Sequence, residues 1–447
     1  MPNHAASSDP ATREIFGSIR RGRSRDLLEL VPQQVADAAA QDPNGFALAL
    51  RGLGRWCTPG VEPKQHDPEP ILEFLDRTAP LTKSPHVDYL RATADLYQAL
   101  LDVDIPHALL TNRTDAPLSA VDTRINQAPA RHEGEGAALA RSNVQGKIHS
   151  LADRDEAAPY FADLRERDQD GVIASLYSDL GAMTYFGHDD VETAAREDGP
   201  RSIRSTIRKL GGQAPTNRTS IVVSVDPRFF RIYAPHLYFC AQQLPEIDMS
   251  ILLCGTAGQA KELMSDGHRY LKALAALNGT GYPDNLAHYF IPVPKTVLER
   301  RTFYAAARFF AAPVLLQDYR NLYLMDADLA VDAHPGPFLK KVRDLPVAVP
   351  KSAGASALSP WRRFMAGNIP LSRRAMETGF LDDLQNYLFH GMARRNSWML
   401  DQNALSYAVE RFDGDIEDVN DYSRPFRTMR FMSTWEANFR RSTVQAG

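Results

Sequence analysis

The chain has 447 residues, which is long enough for two domains with a large hydrophobic core. Hydrophobic residues make up 44% of it and charged residues 24%, as in ordinary water-soluble proteins. The formal net charge of -4 gives no electrostatic reason to expect nucleic acid as a partner, and the three cysteines lack the paired spacing of a disulfide framework or zinc site. The polar, basic start has no secretory signal, and no stretch approaches the ~20 apolar residues of a membrane span. We therefore expect a cytoplasmic protein.

The first half of the chain has helical periodicity. Residues 1–24 are polar and basic, so we expect them to be poorly ordered, whereas residues 25–215 predict an all-α domain. In the clearest helix, Ser84 is a candidate N-cap and Pro85 occupies the first helical position. The apolar stripe that follows consists of Val87, Leu90, Ala94, Tyr97 and Leu101. The polar stretch 112–147 predicts a long loop or a loosely packed helix.

Residues 211–217 have the composition of a linker, and beyond them strands alternate with helices. The predicted strands are 221–225, 249–254, 289–293, 322–325 and 347–349. One predicted helix covers 231–243, and another opens with the capping box of Thr296 and Glu299 and is kinked or ended by Pro313. This alternation predicts an α/β domain over 216–447 with a doubly wound, mostly parallel sheet. Ligands of such sheets bind beyond the carboxyl ends of the strands.

Two aspartates follow the strand 322–325. Asp326 and Asp328 are one residue apart, and a strand places side chains with that spacing on the same face. Two carboxylates this close repel each other unless a cation is near, and hard oxygen ligands suit Mg²⁺ or Mn²⁺ bound to a nucleotide diphosphate. A solvated turn is the alternative interpretation. Asp226 follows the strand 221–225 at the same edge of the sheet, where it is either a ligand contact or an N-cap before Pro227.

Four segments occur in a distinctive order. They are the strand ending in Asp226, the helix with Arg308 that leads into Asp326-Ala327-Asp328, the segment FMAGNIPL around Gly367, and the segment WMLDQNAL with Asp401 and Gln402. In order and spacing they resemble the GT-A glycosyltransferases, most closely the retaining enzymes of glycosyltransferase family 8. The resemblance covers residues 219–412 and implies a GT-A-like catalytic domain preceded by the helical domain.

The resemblance implies transfer of a sugar from a nucleotide-sugar, most commonly a UDP-sugar, with Mn²⁺ or Mg²⁺ held by Asp326 and Asp328. It implies donor contacts by Asp226, Arg308, Ala327 and Gly367. It also implies that Asp401 and Gln402 lie beside the reacting carbon of the sugar and act in catalysis. The acceptor is left open as a glycan, a lipid-linked glycan or a protein, which the helical domain 25–215 binds or positions.

Two departures from the family keep alternatives open. Met365 stands where the family carries an Asn that contacts the sugar, so the pocket differs or Asn368 takes that place. The family's third metal ligand, a C-terminal His, has no counterpart here. Water can complete the metal shell, as can an oxygen from the acidic cluster Asp413, Asp415, Asp418 and Asp421. The alternatives are a degenerate domain that binds without catalysis, and a nucleotidyltransferase. The second is disfavoured because no Gly-rich loop follows the first strand.

Residues 424–441 interleave arginines with aromatic residues and methionines. Three interpretations remain for such a segment. Its apolar side packs on the domain, its arginines reach donor phosphates, or it lies on an anionic membrane surface. We therefore expect the protein in the cytoplasm, with peripheral contact to the inner face of a membrane as one option.

Overall fold

The computed structural model describes residues 9–22, 24–54, 69–100, 118–127, 134–176, 178–195, 199–277, 279, 281–331, 334–352, 357–414, 416–421 and 426–428. Two compact units share the chain. Unit 1 comprises Met1–Asp190 and Ser352–Arg363, and unit 2 comprises Val191–Lys351 and Phe364–Gly447. This division differs from the predicted boundary at 215/216.

The regular elements described in unit 1 are helices. They are α1 (Pro10–Arg21), α2 (Ser24–Leu28), α3 (Pro32–Gln41), α4 (Pro43–Leu50), α5 (Glu69–Thr82), α6 (Pro85–Ala99), α7 (Leu118–Gln127), α8 (Glu135–His149), α9 (Arg154–Arg167) and α10 (Val172–Ser175), with 3-10 turns at Leu180–Thr184 and Pro360–Arg362. Helix α6 begins at Pro85 as predicted, and Val87, Leu90 and Tyr97 of its stripe are buried. Ser84 makes no side-chain cap, so the proline alone marks this start.

Two predictions for unit 1 need correction. Residues 10–21 form α1, whose Asp9 cap accepts hydrogen bonds from the first turn and whose Phe16 and Ile19 are buried. The second half of the stretch 112–147 belongs to α8, a well-packed helix. A Cβ atom at Gly136 would lie 2.1 Å from the Pro85 carbonyl oxygen, so this glycine lets α8 approach α6 closely. Composition suggested a long loop or a loosely packed helix, because small residues at a close helix crossing look the same as loop residues in the sequence.

Unit 2 contains the strands. They are β1 (Arg208–Gly212), β2 (Thr219–Val225), β3 (Asp248–Gly255), β4 (Leu286–Pro292), β5 (Asn321–Met325), β6 (Leu329–Val331), β7 (Ala348–Val349), β8 (Asn368–Ser372), β9 (Glu417–Asp418) and β10 (Phe426–Thr428). The helices from the end of unit 1 onward are α11 (His188–Ala195), α12 (Gly199–Arg204), α13 (Pro227–Gln243), α14 (Ala257–Leu277), α15 (Arg300–Leu315), α16 (Gly336–Val342), α17 (Phe380–Met392) and α18 (Leu400–Glu410).

Six strands form the central sheet in the order β1-β4-β3-β2-β5-β8. Strands β2, β3, β4 and β5 are parallel, while β1 and β8 are antiparallel at the two edges. The predicted mixed α/β class with a mostly parallel sheet is thus confirmed. Gly211 and Gly212 are not a linker, because they pair with β4 in strand β1. Gly212 has φ +97, and a Cβ atom there would lie 2.1 Å from the Leu286 carbonyl oxygen.

Helices cover both faces of this sheet. The buried side chains of α13 and α14 form one core cluster with alternate residues of β2, including Ile221 and Val223. Ser224 faces the other way and donates a hydrogen bond to the Tyr304 carbonyl oxygen of α15 at 2.6 Å. The chain runs from β2 to β3 and β4 on one side, and β5 then lies on the other side of β2. The strand order therefore reverses between β2 and β5, where Asp226 and Asp326 begin the following loops.

Among the described residues, none of the helices combines the length and the hydropathy needed to cross a lipid bilayer.

Candidate functional site

The two predicted metal ligands lie in a tight turn after β5. The Leu329 amide donates to the Asp326 carbonyl oxygen at 3.1 Å and closes the turn, with Ala327 buried at its centre. The side chain of Asp326 is 42% exposed, and Asp328 is half-buried. Burial raises the pKa of Asp328, and the negative charge of Asp326 raises it further. Like charges are thus held together at the carboxyl edge of the sheet, where a bound cation would lower their repulsion.

Arg308 lies behind this turn on α15 and is almost completely buried, with its side chain 1% exposed. Its Nη2 atom is 2.8 Å from Asp326 Oδ1 and 4.0 Å from Asp401 Oδ2. The guanidinium also donates to the carbonyl oxygens of Ala305 at 2.6 Å and Ala366 at 3.0 Å. These contacts are all with protein groups, so the structure supports Arg308 as the residue that orients Asp326 and offsets the charge of Asp401. Its Nε atom is buried and has no partner within the described residues.

Asp401 and Gln402 lie in the first turn of α18. Burial raises the pKa of Asp401 to about 6, the Arg308 charge opposes this change, and the Asp326 charge adds to it. The Asp401 carboxylate accepts the Gln402 amide at 3.0 Å, but Asp401 is the second residue of α18 and not its N-cap, which is Met399. Gln402 is half-buried. The structure therefore brings Asp401 into the same charged cluster as Asp326.

Gly367 lies directly beside Asp326. Its carbonyl oxygen accepts the Asp326 amide at 2.9 Å, and a Cβ atom at this position would lie 2.2 Å from Asp326 Oδ2. The glycine therefore makes room for the carboxylate. The next residue, Asn368, is 7% exposed, and its Oδ1 atom has no partner in the part of the chain that is described. Met365, two residues earlier, is 48% exposed. Sequence reasoning found this segment but not its contact with Asp326.

Asp226 caps α13, since its Oδ1 atom accepts the Phe229 amide at 2.6 Å and Pro227 follows it. Its negative charge also acts across the strand ends. It adds to the effect of burial in raising the pKa of Tyr304 on α15. Tyr304 is half-buried and lies one helical turn before Arg308. Sequence reasoning missed this residue, although its spacing of four from Arg308 places both on one face of a helix.

The described residues hold no group of three or more His, Cys, Asp or Glu side chains arranged for a metal ion. Two carboxylates, Asp326 and Asp328, nevertheless fit the chemistry of Mg²⁺, which proteins commonly hold through one or two carboxylates while phosphate oxygens and water complete the shell. The acidic cluster offers little help, because Asp418 accepts the Lys351 and Asn420 amides. Asp415 and most of the basic aromatic segment 424–441 lie outside the described residues.

Comparisons of this chain with protein-family models, with curated proteins and with solved structures gave no match. The assignment of function therefore depends on the geometry of the site.

Proposed function

We propose that the protein is a metal-dependent glycosyltransferase of the GT-A type that transfers a sugar from a nucleotide-sugar, with a UDP-sugar as the expected donor. One observation carries the proposal. Arg308, Asp326, Asp328 and Asp401 form one charged cluster at the carboxyl edge of the sheet. This edge lies beside the point where the strand order reverses, and open α/β sheets bind their ligands in that crevice.

The charges of the cluster do not balance. Three carboxylates share one guanidinium, and two of them have raised pKa values because burial opposes their ionisation. A site that holds surplus negative charge next to solvent is suited to a divalent cation. Two buried atoms in this region, Arg308 Nε and Asn368 Oδ1, have no hydrogen-bond partner among the described residues, so a polar ligand group can bind them. A metal-bound diphosphate is the ligand class that uses both features.

In this proposal Asp326 and Asp328 hold the cation, and Arg308 keeps the Asp326 carboxylate oriented. Mg²⁺ or Mn²⁺ bound there would supply positive charge to stabilise the departing nucleoside diphosphate. Asp401, which is ionised above a pH of about 6, and Gln402 lie on the sugar side, where positive charge develops in the transition state. The acceptor is a glycan, a lipid-linked glycan or a protein, and the helical unit binds or positions it.

A thermal-shift screen of nucleotide-sugars with and without Mn²⁺ tests the proposal. We expect a UDP-sugar to raise the melting temperature only with the metal, because a ligand that binds the folded state stabilises it. Asp328→Asn keeps the shape of the side chain but removes its charge, so metal-dependent binding should be lost while the fold remains. Asp266→Asn, at a half-exposed position on α14 far along the chain from the cluster, is the matched control. Unchanged affinity for UDP with Mn²⁺ in Asp328→Asn, measured by calorimetry, would refute the metal assignment.

A second candidate is a degenerate GT-A domain that binds the donor without turning it over. It is favoured by the finding that no group of three His, Cys, Asp or Glu side chains among the described residues is arranged to hold a metal ion. Donor hydrolysis separates the two candidates. An enzyme should release sugar from the bound donor, whereas a degenerate domain should bind the donor in the thermal-shift screen and leave it intact.

A further inference from the structure

Helix α15 crosses from the end of one parallel strand to the beginning of another. It follows β4 and precedes β5, so its first turns lie at the carboxyl edge of the sheet and the helix runs back from there. Tyr304 and Arg308 are four residues apart on this helix and share one face. With a rise of 1.5 Å per residue, Tyr304 lies about 6 Å farther toward the carboxyl edge than Arg308. Tyr304 is also close enough to Asp226 for the charge of that carboxylate to act on it, which places it near the end of β2.

A hydrogen bond from strand β2 holds the backbone of Tyr304. Ser224 donates to its carbonyl oxygen at 2.6 Å, and Ser224 is two residues before Asp226 at the end of the strand. Arg308, by contrast, is bound to Asp326 after β5. One face of α15 thus connects the ends of the two strands between which the strand order reverses. Tyr304 is half-buried, which leaves part of its side chain accessible to a ligand.

A nucleotide-sugar has its diphosphate in the middle, with the sugar at one end and the nucleoside at the other. If the diphosphate lies at Asp326 and Asp328, Asp401 is the carboxylate on one side of it, linked through Arg308. Tyr304 and Asp226 then lie on the side of β2. The Asp226 carboxylate uses Oδ1 to cap α13, and a carboxylate has about four lone-pair sites, so it retains capacity to accept from a hydroxyl group.

We infer that Tyr304 lies at the nucleoside end of the site and stacks its ring on the base, beside Asp226, whose contact with the donor the resemblance already implies. This inference rests on the proposed function and adds a recognition residue that the sequence motifs do not contain. Stacking on an aromatic ring tolerates different bases, because every base has a π face. The ring therefore supplies affinity for the nucleoside, while hydrogen bonds elsewhere select the base.

Calorimetry with two probes, UDP and inorganic pyrophosphate, each with Mn²⁺, tests the inference on the full chain. Tyr304→Ala should weaken UDP binding by about 5- to 150-fold, the range that loss of one stacked base produces. It should leave pyrophosphate binding unchanged, because pyrophosphate has no base. Tyr304→Phe should bind UDP like the wild type, since the ring is retained. Tyr270→Ala, at an exposed tyrosine of α14, is the matched control.

The two probes separate failure of the inference from failure of the proposed function. If the wild-type protein binds neither UDP nor pyrophosphate, the proposed function fails. If it binds both, and Tyr304→Ala binds UDP with wild-type affinity, the inference is wrong and the proposed function stands. Equal losses for both probes would also overturn the inference, because Tyr304 would then support the diphosphate and not the base. Tyr304→Leu, which fills the space without a ring, answers the same question if the alanine variant does not fold.

Discussion

Each unit contains a buried cation paired with an aspartate, and the two pairs differ in what surrounds them. In unit 1 the side chains of Lys147 and Asp179 are 3% and 6% exposed, and the two groups are in direct contact. Tyr89 donates to the second oxygen of Asp179 at 2.9 Å. In unit 2 the Arg308 side chain is 1% exposed, but that of its partner Asp326 is 42% exposed. The first pair is closed to solvent and the second is open on one side.

The pKa values show what this difference means. Burial favours a higher pKa for Asp179, yet the Lys147 charge and hydrogen bonds from Lys147 and Tyr89 bring it below its ordinary value. In the second cluster burial prevails, and the pKa of Asp401 rises to about 6. One cation matches one anion in unit 1, whereas one guanidinium serves three carboxylates in unit 2. The balanced, buried pair in unit 1 needs no further counterion, whereas the surplus negative charge in unit 2 fits the cation that we propose.

Lys147→Met should have the largest effect on stability. It removes the partner of a buried aspartate, and breaking a buried pair in this way costs about 3–5 kcal/mol. The loss should appear in unit 1, as faster hydrogen exchange of α8, while β5 in unit 2 exchanges as in the wild type. In the control variant Lys147→Met/Asp179→Asn no uncompensated charge remains, so its stability should be higher than that of the single variant. Equal stability of the two variants would show that the pair is not coupled.

Asp401→Asn should change how stability depends on pH. The folded state raises the Asp401 pKa to about 6 from an ordinary value near 3.8, so it binds the proton more tightly than the unfolded state does. In metal-free protein this group therefore lowers stability as the pH rises from about 4 to 6, and the full cost remains above pH 6. The asparagine variant should lack this decrease and be more stable by roughly 3 kcal/mol at pH 7, at about 1.4 kcal/mol for each pKa unit.

Urea unfolding between pH 4 and pH 7 in a chelating buffer measures this difference. Wild type and variant share their other titrating groups, so the difference between their curves reports the removal of Asp401 together with its charge interaction with Asp326. Parallel curves would show that Asp401 is not destabilised by its environment. For Asp179 the dependence of stability on pH has the opposite sign. Its lowered pKa contributes stability that is present at neutral pH and is lost as the pH falls.

Gln402→Ala should change stability least, within about 0.5 kcal/mol, because the side chain is half-buried and carries no charge. Its effect should appear in donor hydrolysis, which we expect to fall by about 10- to 10³-fold if Gln402 stabilises charge on the sugar. Affinity for the nucleotide-sugar should change little. Gln317→Ala, at an exposed position after α15, is the control. If Gln402→Ala and Asp401→Asn both hydrolyse donor at the wild-type rate, the two residues only begin α18.

The strands that were predicted from sequence are those with continuous apolar runs. The run 221–225 lies within β2 and 322–325 within β5, because strands buried on both faces contain few polar residues. The glycines of β1 escaped prediction, since their packing against β4 has no local signal. Helix α15 begins at Arg300 and not at Thr296. Glu299 accepts the amides of Asn396 and Ser397, nearly a hundred residues away, so a distant segment uses the carboxylate that the capping box assigned to the helix.

By itself the sequence determined the alternation of strands and helices and the pair Asp326 and Asp328 after a buried strand, because both depend on the spacing of residues close together in the chain. Only the tertiary structure decided that Arg308 and Asp401 join Asp326 in one cluster. The physical reason is that burial of a charge, and hence its pKa and its partners, depends on which distant segments surround it. A periodic pattern shows which face of an element is buried, but not which charges meet there.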